Sequence, residues 1–511
     1  MNNKRAGSIM VQGTGSSVGK SLICTGLCRI FKQDGYKVVP FKSQNMALNS
    51  YITKDGGEMG RAQVMQAEAA GVEPSVEMNP ILIKPTGDQD AQIIINGVAQ
   101  GDMSAAKYHY TKDQLAVMLK NIYNGLAEKN DIVVLEGAGS PAEINLRDKD
   151  IVNMGMAEIS DSPVVLVGDI DKGGVFASLA GTMLLLTEEE RARVKGVIIN
   201  KFRGDIDLLK PGLKMIEDII KIPVLGVLPY IKLNLDDEDG HLDERFHHKY
   251  SDGLAEIDIA VVKLPHLSNY TDFNALENIP GVTVRYVDRP DQFAKPDLII
   301  LPGSKNTIGD LLAIRGAGIE QQIKKLHNDK VPVFGICGGY QMLGSKIADP
   351  YGVEAQVPTI EGLGLLDMKT IFQKEKVTTQ VEAVITNGSG ILEGLNGVVV
   401  NGYEIHMGVT EFSGDCYPFL TIDKSFGKVC SRLDGVTNRE GNVFGTYIHG
   451  IFDSGDFTRI LINNLRKSKG LDPIDHNWMP YKEFKEIEYD KLAEMIRENL
   501  DMKAIYDIVN L

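Results

Sequence analysis

Near the start of the chain an apolar run, Ser8 to Val11, meets Gly13-Thr14-Gly15-Ser16-Ser17-Val18-Gly19-Lys20-Ser21, and from Ser21 to Phe31 apolar residues recur at helical spacing. Few architectures accept a buried strand that ends in a glycine turn and opens a helix: the strand must be covered on both faces and the turn must fall at its carboxyl end. Further continuous Val/Ile/Leu runs follow at Lys37 to Phe41, Asp131 to Leu135, Pro163 to Val167, Gly196 to Ile199 and Pro223 to Val227. They alternate with helical stretches such as Lys112 to Glu128 and Leu208 to Ile220. This pattern predicts a doubly wound α/β unit with a parallel sheet. A second alternation, Ile257 to Leu264, Val282 to Val287, Asp297 to Leu301 and Val331 to Phe334, predicts another, so the fold class is α/β with two doubly wound domains.

At 511 residues the chain exceeds what one core usually supports. The expected divisions are a phosphate-loop domain over 1–232, a linker over 233–254, a second α/β domain over 255–457 and a C-terminal helical extension over 458–511, with Tyr489 to Asn499 its clearest amphipathic piece. The linker is acidic at Asp236-Asp237-Glu238-Asp239-Gly240 and then carries His247-His248; with no cysteine beside them these read as a solvated tether rather than a metal site. A balance of 54 basic to 69 acidic side chains, net −15, argues against nucleic acid or an anionic membrane as partner. Five cysteines without a CxxC pair indicate neither a zinc knuckle nor a disulfide framework, and a cytoplasmic setting fits.

The first glycine loop suits nucleotide phosphates. Backbone N–H groups around a concavity, added to the positive end of a helix dipole, make an anion site from main chain. Gly13, Thr14, Gly15, Ser16, Ser17, Val18 and Gly19 form the cradle, Lys20 reaches the β- and γ-phosphates of ATP, and the Ser21 hydroxyl sits on Mg²⁺. Thr14 stands where the usual GxxxxGK[ST] has its first glycine, and GxGxxG is missed by one residue; the Gly19-Lys20-Ser21 ending favours phosphates over a dinucleotide. Glu136, at the end of Asp131 to Leu135, is the expected metal carboxylate, with Asp169 as competitor. Lys42 and Lys172 are candidate ligands for phosphate or substrate carboxylates.

The second loop presents a nucleophile. Gly335-Ile336-Cys337-Gly338-Gly339 after a strand is an elbow with cysteine in place of serine; the Gly338 N–H and the Gly303 loop can donate to an oxyanion, and Gln341 lies on the same turn. A thiol needs a base, and His449, set between small residues in Thr446-Tyr447-Ile448-His449-Gly450, supplies one.

Longer segments sharpen this reading: Phe41-Lys42-Ser43-Gln44-Asn45-Met46-Ala47-Leu48-Asn49, Glu58 to Gln63, Met78 to Pro85, Leu135 to Leu146, and Asn401-Gly402-Tyr403-Glu404-Ile405-His406-Met407-Gly408. With the two loops they resemble, over nearly the whole chain, class I glutamine amidotransferases joined to a dethiobiotin-synthetase-like ATP domain, as in the cobyric acid synthase family. The resemblance implies that Cys337 and His449 release ammonia from L-glutamine through a γ-glutamyl thioester, with Gln341 among the glutamine-binding residues. It implies further that ATP activates corrinoid side-chain carboxylates for amidation at the b, d, e and g positions in cobalamin biosynthesis. By the same likeness Asn200 contacts adenine and Asp150 lies near the transferred phosphate, while Tyr403, Glu404 and His406 either touch the corrinoid or the domain seam or form a structural turn. Many class I members have Glu two residues after the histidine; here that position is Ile451, so what orients His449 is open.

Three rivals stand beside this reading. A CTP-synthase-like enzyme conflicts with the missing H-x-E, and an a,c-diamide synthase with the Phe41 to Asn49 and Glu136 to Leu146 segments. A DNA-partitioning ATPase expects a second lysine early in the glycine loop and a basic surface, and this chain has neither.

Overall fold

The computed structural model describes residues 6–85, 90–104, 112–235, 256–354, 357–474 and 478–510. The linker from 236 to 254, with His247 and His248, lies outside the described residues. The chain divides into two compact units: Met1–Ala47 with Glu58–His241 and Lys485–Leu511, and Leu48–Gly57 with Leu242–Phe484. This departs from the sequence-based boundaries twice. The segment Leu48–Gly57 belongs with the second unit, and the C-terminal extension is no body of its own: helix Gly455–Ser468 belongs to the second unit, and the chain from Lys485 onward returns to the first.

In the first unit six strands pair in the order Val224–Pro229, Val194–Phe202, Val164–Asp169, Gly7–Gly13, Ile132–Glu136, Val38–Phe41. Every pairing is parallel. Both faces are covered, which is why these strands read as uninterrupted apolar runs; Ile9, Met10, Val11, Val133, Val134 and Leu166 are wholly buried. The central position of Gly7–Gly13 puts the glycine loop at the carboxyl edge of the sheet, beside the ends of Ile132–Glu136 and Val164–Asp169.

C-terminal helices complete this core. Tyr489, Leu492, Ile496, Ile505 and Val509 pack in one cluster with Ile23, Leu27 and Phe31 of helix Lys20–Gln33. Arg29 pairs with Glu486 and Asp490, each at 2.7 Å. The amphipathic stripe therefore faces the phosphate-loop helix, and a helix that cannot hold its apolar face in water is stabilised by that packing.

The second unit holds a 12-stranded mixed sheet. Its parallel half runs Val282–Val287, Ile257–Val262, Leu298–Leu301, Val333–Ile336, Val443–Thr446. Antiparallel strands Lys428–Asn438, Cys416–Ser425, Met368–Ile385 and Val399–Phe412 extend it and account for the glycine-rich tract between Gly362 and Phe452. No helix among the described residues is long and apolar enough to cross a membrane.

Gly226 measures how closely the C-terminal helices dock. A Cβ there would stand 2.1 Å from the Asn499 carbonyl oxygen, a backbone atom that cannot turn aside. Gly226→Ala is therefore expected to lower stability by about 1–3 kcal/mol. In contrast, Gly125→Ala, in helix Lys112–Lys129 with nothing within 4 Å of the new methyl, should raise stability by up to about 1 kcal/mol. Denaturation midpoints followed by circular dichroism check both signs.

Candidate active sites

At the first centre the backbone turns sharply out of Gly7–Gly13, and Gly19 caps the following helix with φ 96°. Only glycine fits there, since a Cβ would lie 2.2 Å from the Asn200 amide nitrogen. Lys20 is almost wholly buried, and its ammonium donates to the Gly15 carbonyl (2.9 Å) and the Gly139 carbonyl (3.2 Å). It spans the mouth of the loop, where phosphate oxygens would replace main-chain acceptors.

Glu136 lies at the adjacent strand end and is 1% exposed. Its Oε1 accepts from Ser21 Oγ (2.8 Å) and from Lys42 Nζ (2.7 Å), and its Oε2 from the side-chain amides of Gln63 and Gln66. Burial pushes this carboxyl upward, but the Lys42 charge and hydrogen bond, joined by Gln66 and Ser21, outweigh burial and hold it below the usual carboxylate range. Ser21 and Glu136 thus form a pair of hard oxygen donors at the phosphate loop, a fit to Mg²⁺, which takes one carboxylate and completes its shell with phosphates and water. Asp169 pairs instead with Lys201 at 3.0 Å, and Lys201 Nζ also donates to Ser17 O of the loop.

Three further expected ligands have the following surroundings. Asn200 braces the phosphate loop, donating from its side-chain amide to the Val18 carbonyl at 2.9 Å. Both oxygens of Asp150 accept from backbone N–H groups, those of Val152, Asn153 and Gly155, at the start of helix Met154–Ser160. Lys172 is exposed on the turn after Val164–Asp169.

At the second centre Cys337 joins strand Val333–Ile336 to helix Gly338–Leu343 with φ 51° and ψ −108°, a conformation that side-chain-bearing residues rarely adopt. Surrounding glycines permit it. A Cβ on Gly339 would lie 2.0 Å from the Leu301 carbonyl oxygen, and one on Gly335 would lie 2.7 Å from the Tyr340 nitrogen. The Cys337 N–H donates to the Thr446 carbonyl (2.9 Å), and Sγ faces the Ile405 carbonyl at 3.5 Å. Gly338 begins the helix, so its N–H lies at the positive end next to the sulfur. Gly303 packs against the imidazole: a Cβ there would stand 2.9 Å from His449 Cε1. Gln341 is buried, accepting from Thr307 Oγ1 and donating to the Tyr447 hydroxyl.

His449 is 1% exposed, and its Nδ1 lies 2.7 Å from Asp272 Oδ2. The other oxygen of Asp272 accepts from the Gly450 N–H at 2.9 Å, fixing the carboxylate against the ring from two sides. Nε2 is buried with no hydrogen-bond partner in conventional geometry among the described residues, which leaves it for the thiol and substrate. Burial alone would lower the imidazole pKa; the negative charges of Asp272 and of an ionised Cys337 overcome it and push His449 up to about 10. A protonated His449 beside the Cys337 sulfur holds a proton ready for the leaving amine.

Asp272 settles what orients His449, and sequence reading missed it. It sits in the short 3-10 turn Tyr270–Phe273, 177 positions before the histidine. The available signal was a carboxylate in a loop after the first parallel strand, on the same sheet edge as the nucleophile, with no local motif to mark it.

Residues 9–241 match the CobQ/CobB/MinD/ParA nucleotide binding domain, and residues 258–457 match the CobB/CobQ-like glutamine amidotransferase domain. The chain is 56% identical to cobyric acid synthase of Thermoanaerobacter sp. (strain X514) over 98% of each chain. It is 57% identical to that of Clostridium tetani (strain Massachusetts / E88) and 58% identical to that of Clostridium botulinum (strain Loch Maree / Type A3), over 98% of this chain and 99% of theirs. The chain belongs to the cobyric acid synthase family.

It is a glutamine amidotransferase of the ligase type, and the Cys337, His449 and Asp272 set lies within the matched amidotransferase domain. Other residues of the Asn401 to Gly408 segment lie around that set: Glu404 pairs with Arg432, and the His406 ring stacks on Tyr447 at 3.8 Å.

Replacing Asp272 by Asn removes the charge that holds the imidazolium. Glutamine hydrolysis is expected to fall at least about tenfold in kcat, less than the roughly 10⁴-fold loss in a serine triad because a thiol ionises more readily. Asp272 raises the His449 pKa, so without it the imidazolium loses its proton at lower pH, and the alkaline limb of the glutaminase pH–rate profile should move downward. An unchanged rate and limb would count against the assignment.

Proposed function

We propose that this chain amidates the b, d, e and g side-chain carboxylates of adenosylcobyrinic acid a,c-diamide, using ATP and L-glutamine, in the cytoplasm. The observation that carries the reading is full-length likeness to cobyric acid synthases in a chain that has both a phosphate loop and a Cys-His-Asp set. Five free cysteines suit a reducing compartment.

In the second unit the Cys337 thiolate adds to the γ-carbonyl of glutamine. The Gly338 N–H and the Gly303 loop face the oxyanion, and Gln341 shapes the wall behind it. His449 gives its Nε2 proton to the departing nitrogen, which leaves as ammonia, and a γ-glutamyl thioester remains. Water, deprotonated by the now neutral imidazole, cleaves the thioester to glutamate and restores the thiolate. Asp272 keeps the ring in the tautomer and orientation both steps need.

In the first unit a carboxylate of the corrinoid attacks the γ-phosphorus of ATP, giving an acyl phosphate and ADP; ammonia then adds to the acyl carbon and inorganic phosphate leaves. A carboxylate is too poor an electrophile for ammonia until this exchange is made. Lys20 and the loop N–H groups hold the triphosphate, and Lys42 stands beside Glu136 to meet an anionic substrate group. Ser21 and Glu136 are the residues that would hold Mg²⁺, whose charge offsets that of the phosphates. By the family likeness Asn200 is assigned to adenine and Asp150 to the neighbourhood of the transferred phosphate, with Lys172 a further ligand for phosphate or substrate carboxylates.

Incubation with the corrinoid, ATP and glutamine, with added amides counted by mass, tests the reading; four amides are the expected product. Cys337→Ser should abolish amidation from glutamine and keep amidation from ammonium salts. A variant that still uses glutamine at the parental rate would remove Cys337 from its role, and products stopping at no amide with either nitrogen source would remove the function.

A further inference from the structure

Asp310 lies in the first turn of helix Thr307–Gly316 and is wholly buried. No step of the chemistry above uses it, yet donors close on its carboxylate from two separate segments. Oδ2 accepts from the Ser304 hydroxyl at 2.7 Å, and Oδ1 lies 2.7 Å from His266 Nδ1. The His266 backbone N–H is shared between both oxygens, at 3.2 and 3.1 Å. Burial pushes this carboxyl up, and Ser304 and His266 pull against that shift. A carboxylate stripped of water holds its few donors firmly, because losing any one of them leaves it short of a partner.

The same two segments are joined through their backbones. The Ser268 N–H donates to the Gly303 carbonyl (3.0 Å) and the Lys305 N–H to the His266 carbonyl (2.9 Å), which makes Leu267 and Ser304 opposite members of an antiparallel bridge. In such a bridge the flanking residues bond inward, and the N–H groups of the opposed pair face outward. The Ser304 N–H therefore points away from residues 266–268. What lies on its side is the cysteine elbow: a Cβ on Gly338 would stand 2.9 Å from the Ser304 nitrogen. Gly303, at the other end of that peptide, packs against the His449 ring. Ser304 Oγ also accepts from the Asn306 N–H (2.9 Å), so its own proton is committed to Asp310 and the hydroxyl is fixed from both sides.

We propose that the Ser304 N–H is the second donor of the oxyanion site, and that Asp310 is the positioning residue that aims it, acting through the Ser304 hydroxyl. This rests on the glutamine chemistry given to Cys337 above. As Cys337 Sγ bonds to the γ-carbon, the carbonyl π pair moves onto oxygen, and two N–H groups meet that charge: Gly338 from the elbow and Ser304 from the neighbouring strand end. Donors aimed in advance at the oxyanion favour the transition state over bound glutamine. Glycine at 303 leaves the peptide before Ser304 free to rotate, and a rotated peptide would turn its donor away. The tie to Asp310, on a rigid helix, removes that freedom.

Two variants test this on the full-length protein. Ser304→Ala cuts the tie with the smallest change, and Asp310→Asn replaces the carboxylate. Glutamine hydrolysis gives kcat and KM. Inhibition by glutamate γ-semialdehyde reports addition of the thiol to a carbonyl, which needs an oxyanion site; its cyclisation in solution cancels in the ratio of variant to parent. Alkylation by iodoacetamide, followed by mass at the Cys337 peptide, displaces iodide from a saturated carbon and needs no such site. Expected for Ser304→Ala is a kcat at least about tenfold lower with KM within about twofold, short of the roughly 10²–10³ lost when an oxyanion donor is removed outright. The semialdehyde inhibition constant should rise at least about tenfold, and the alkylation rate should stay within about twofold of the parent. Asp310→Asn is expected to follow the same pattern with a larger loss; should it fail to fold, Ser304→Ala decides alone. A parental kcat and inhibition constant in Ser304→Ala overturn the proposal. So does alkylation slowed in step with kcat, because the change would then act on the thiol or on the fold at large. The parent reports separately on the chemistry itself: if it releases no glutamate from glutamine, that reading fails and this proposal with it.

Discussion

Buried ionised groups have to be paired, and in this protein that constraint organises both reactive centres. Lys20, Glu136, Asp272 and His449 are each no more than 3% exposed. Stripping water from an isolated charge of this kind costs several kcal/mol, so each exists only because an opposite charge or a set of hydrogen bonds awaits it. Around Glu136 these are Lys42, Ser21, Gln63 and Gln66; around His449 they are Asp272 and the thiol of Cys337. The pairing also prepares the chemistry. In a dry site, charge–dipole interactions are stronger than in water, and groups fixed in advance need not reorganise as the reaction proceeds.

Parallel sheets explain where those charges are placed. Strands covered on both faces carry few polar side chains along their length, so reactive groups gather where the strands end and the chain turns back into a helix. Glu136 is the last residue of its strand, the phosphate loop follows Gly7–Gly13, and Cys337 follows Val333–Ile336. The same logic made these residues legible. Apolar runs followed by glycine-framed turns can be recognised in a window of a dozen residues, so the strands of the first sheet, the phosphate loop and the elbow were legible there, whereas the parallel strand Val443–Thr446 was hidden in the glycine-rich tract.

What escaped the sequence has a common cause: it depends on contacts between distant positions. Asp272 looks like any loop carboxylate until its turn is brought to the histidine. Asp150 accepts from the N–H groups of Val152, Asn153 and Gly155, an arrangement that local composition does not reveal. The amphipathic pattern at Tyr489 to Asn499 was visible, but a hydrophobic stripe states only that a partner exists. That the partner is helix Lys20–Gln33 follows from Arg29 meeting Glu486 and Asp490, more than 450 positions away. The excursion Leu48–Gly57 is the extreme case: a few residues assigned by sequence continuity to one unit and by packing to the other.

The two strand-to-helix turns solve one backbone problem in opposite ways. Each needs a residue with positive φ where a buried strand reverses into a helix. In the phosphate loop Gly19, with φ 96°, opens the helix without strain although Ser17 before it also has positive φ, and what the turn offers is main-chain N–H groups pointing at an anion. In the elbow the position is Cys337 itself, with φ 51°, and the glycines stand on either side of it. Strain of this kind costs of order 1–3 kcal/mol and persists only where neighbours hold it. Here they do: the Cys337 N–H is fixed by Thr446, and Gly339 lets the helix approach the Leu301 carbonyl closely. The anion-binding turn can leave its side chains to other tasks, whereas the nucleophilic turn must project one side chain away from both strand and helix. Glycine serves the first and cannot serve the second.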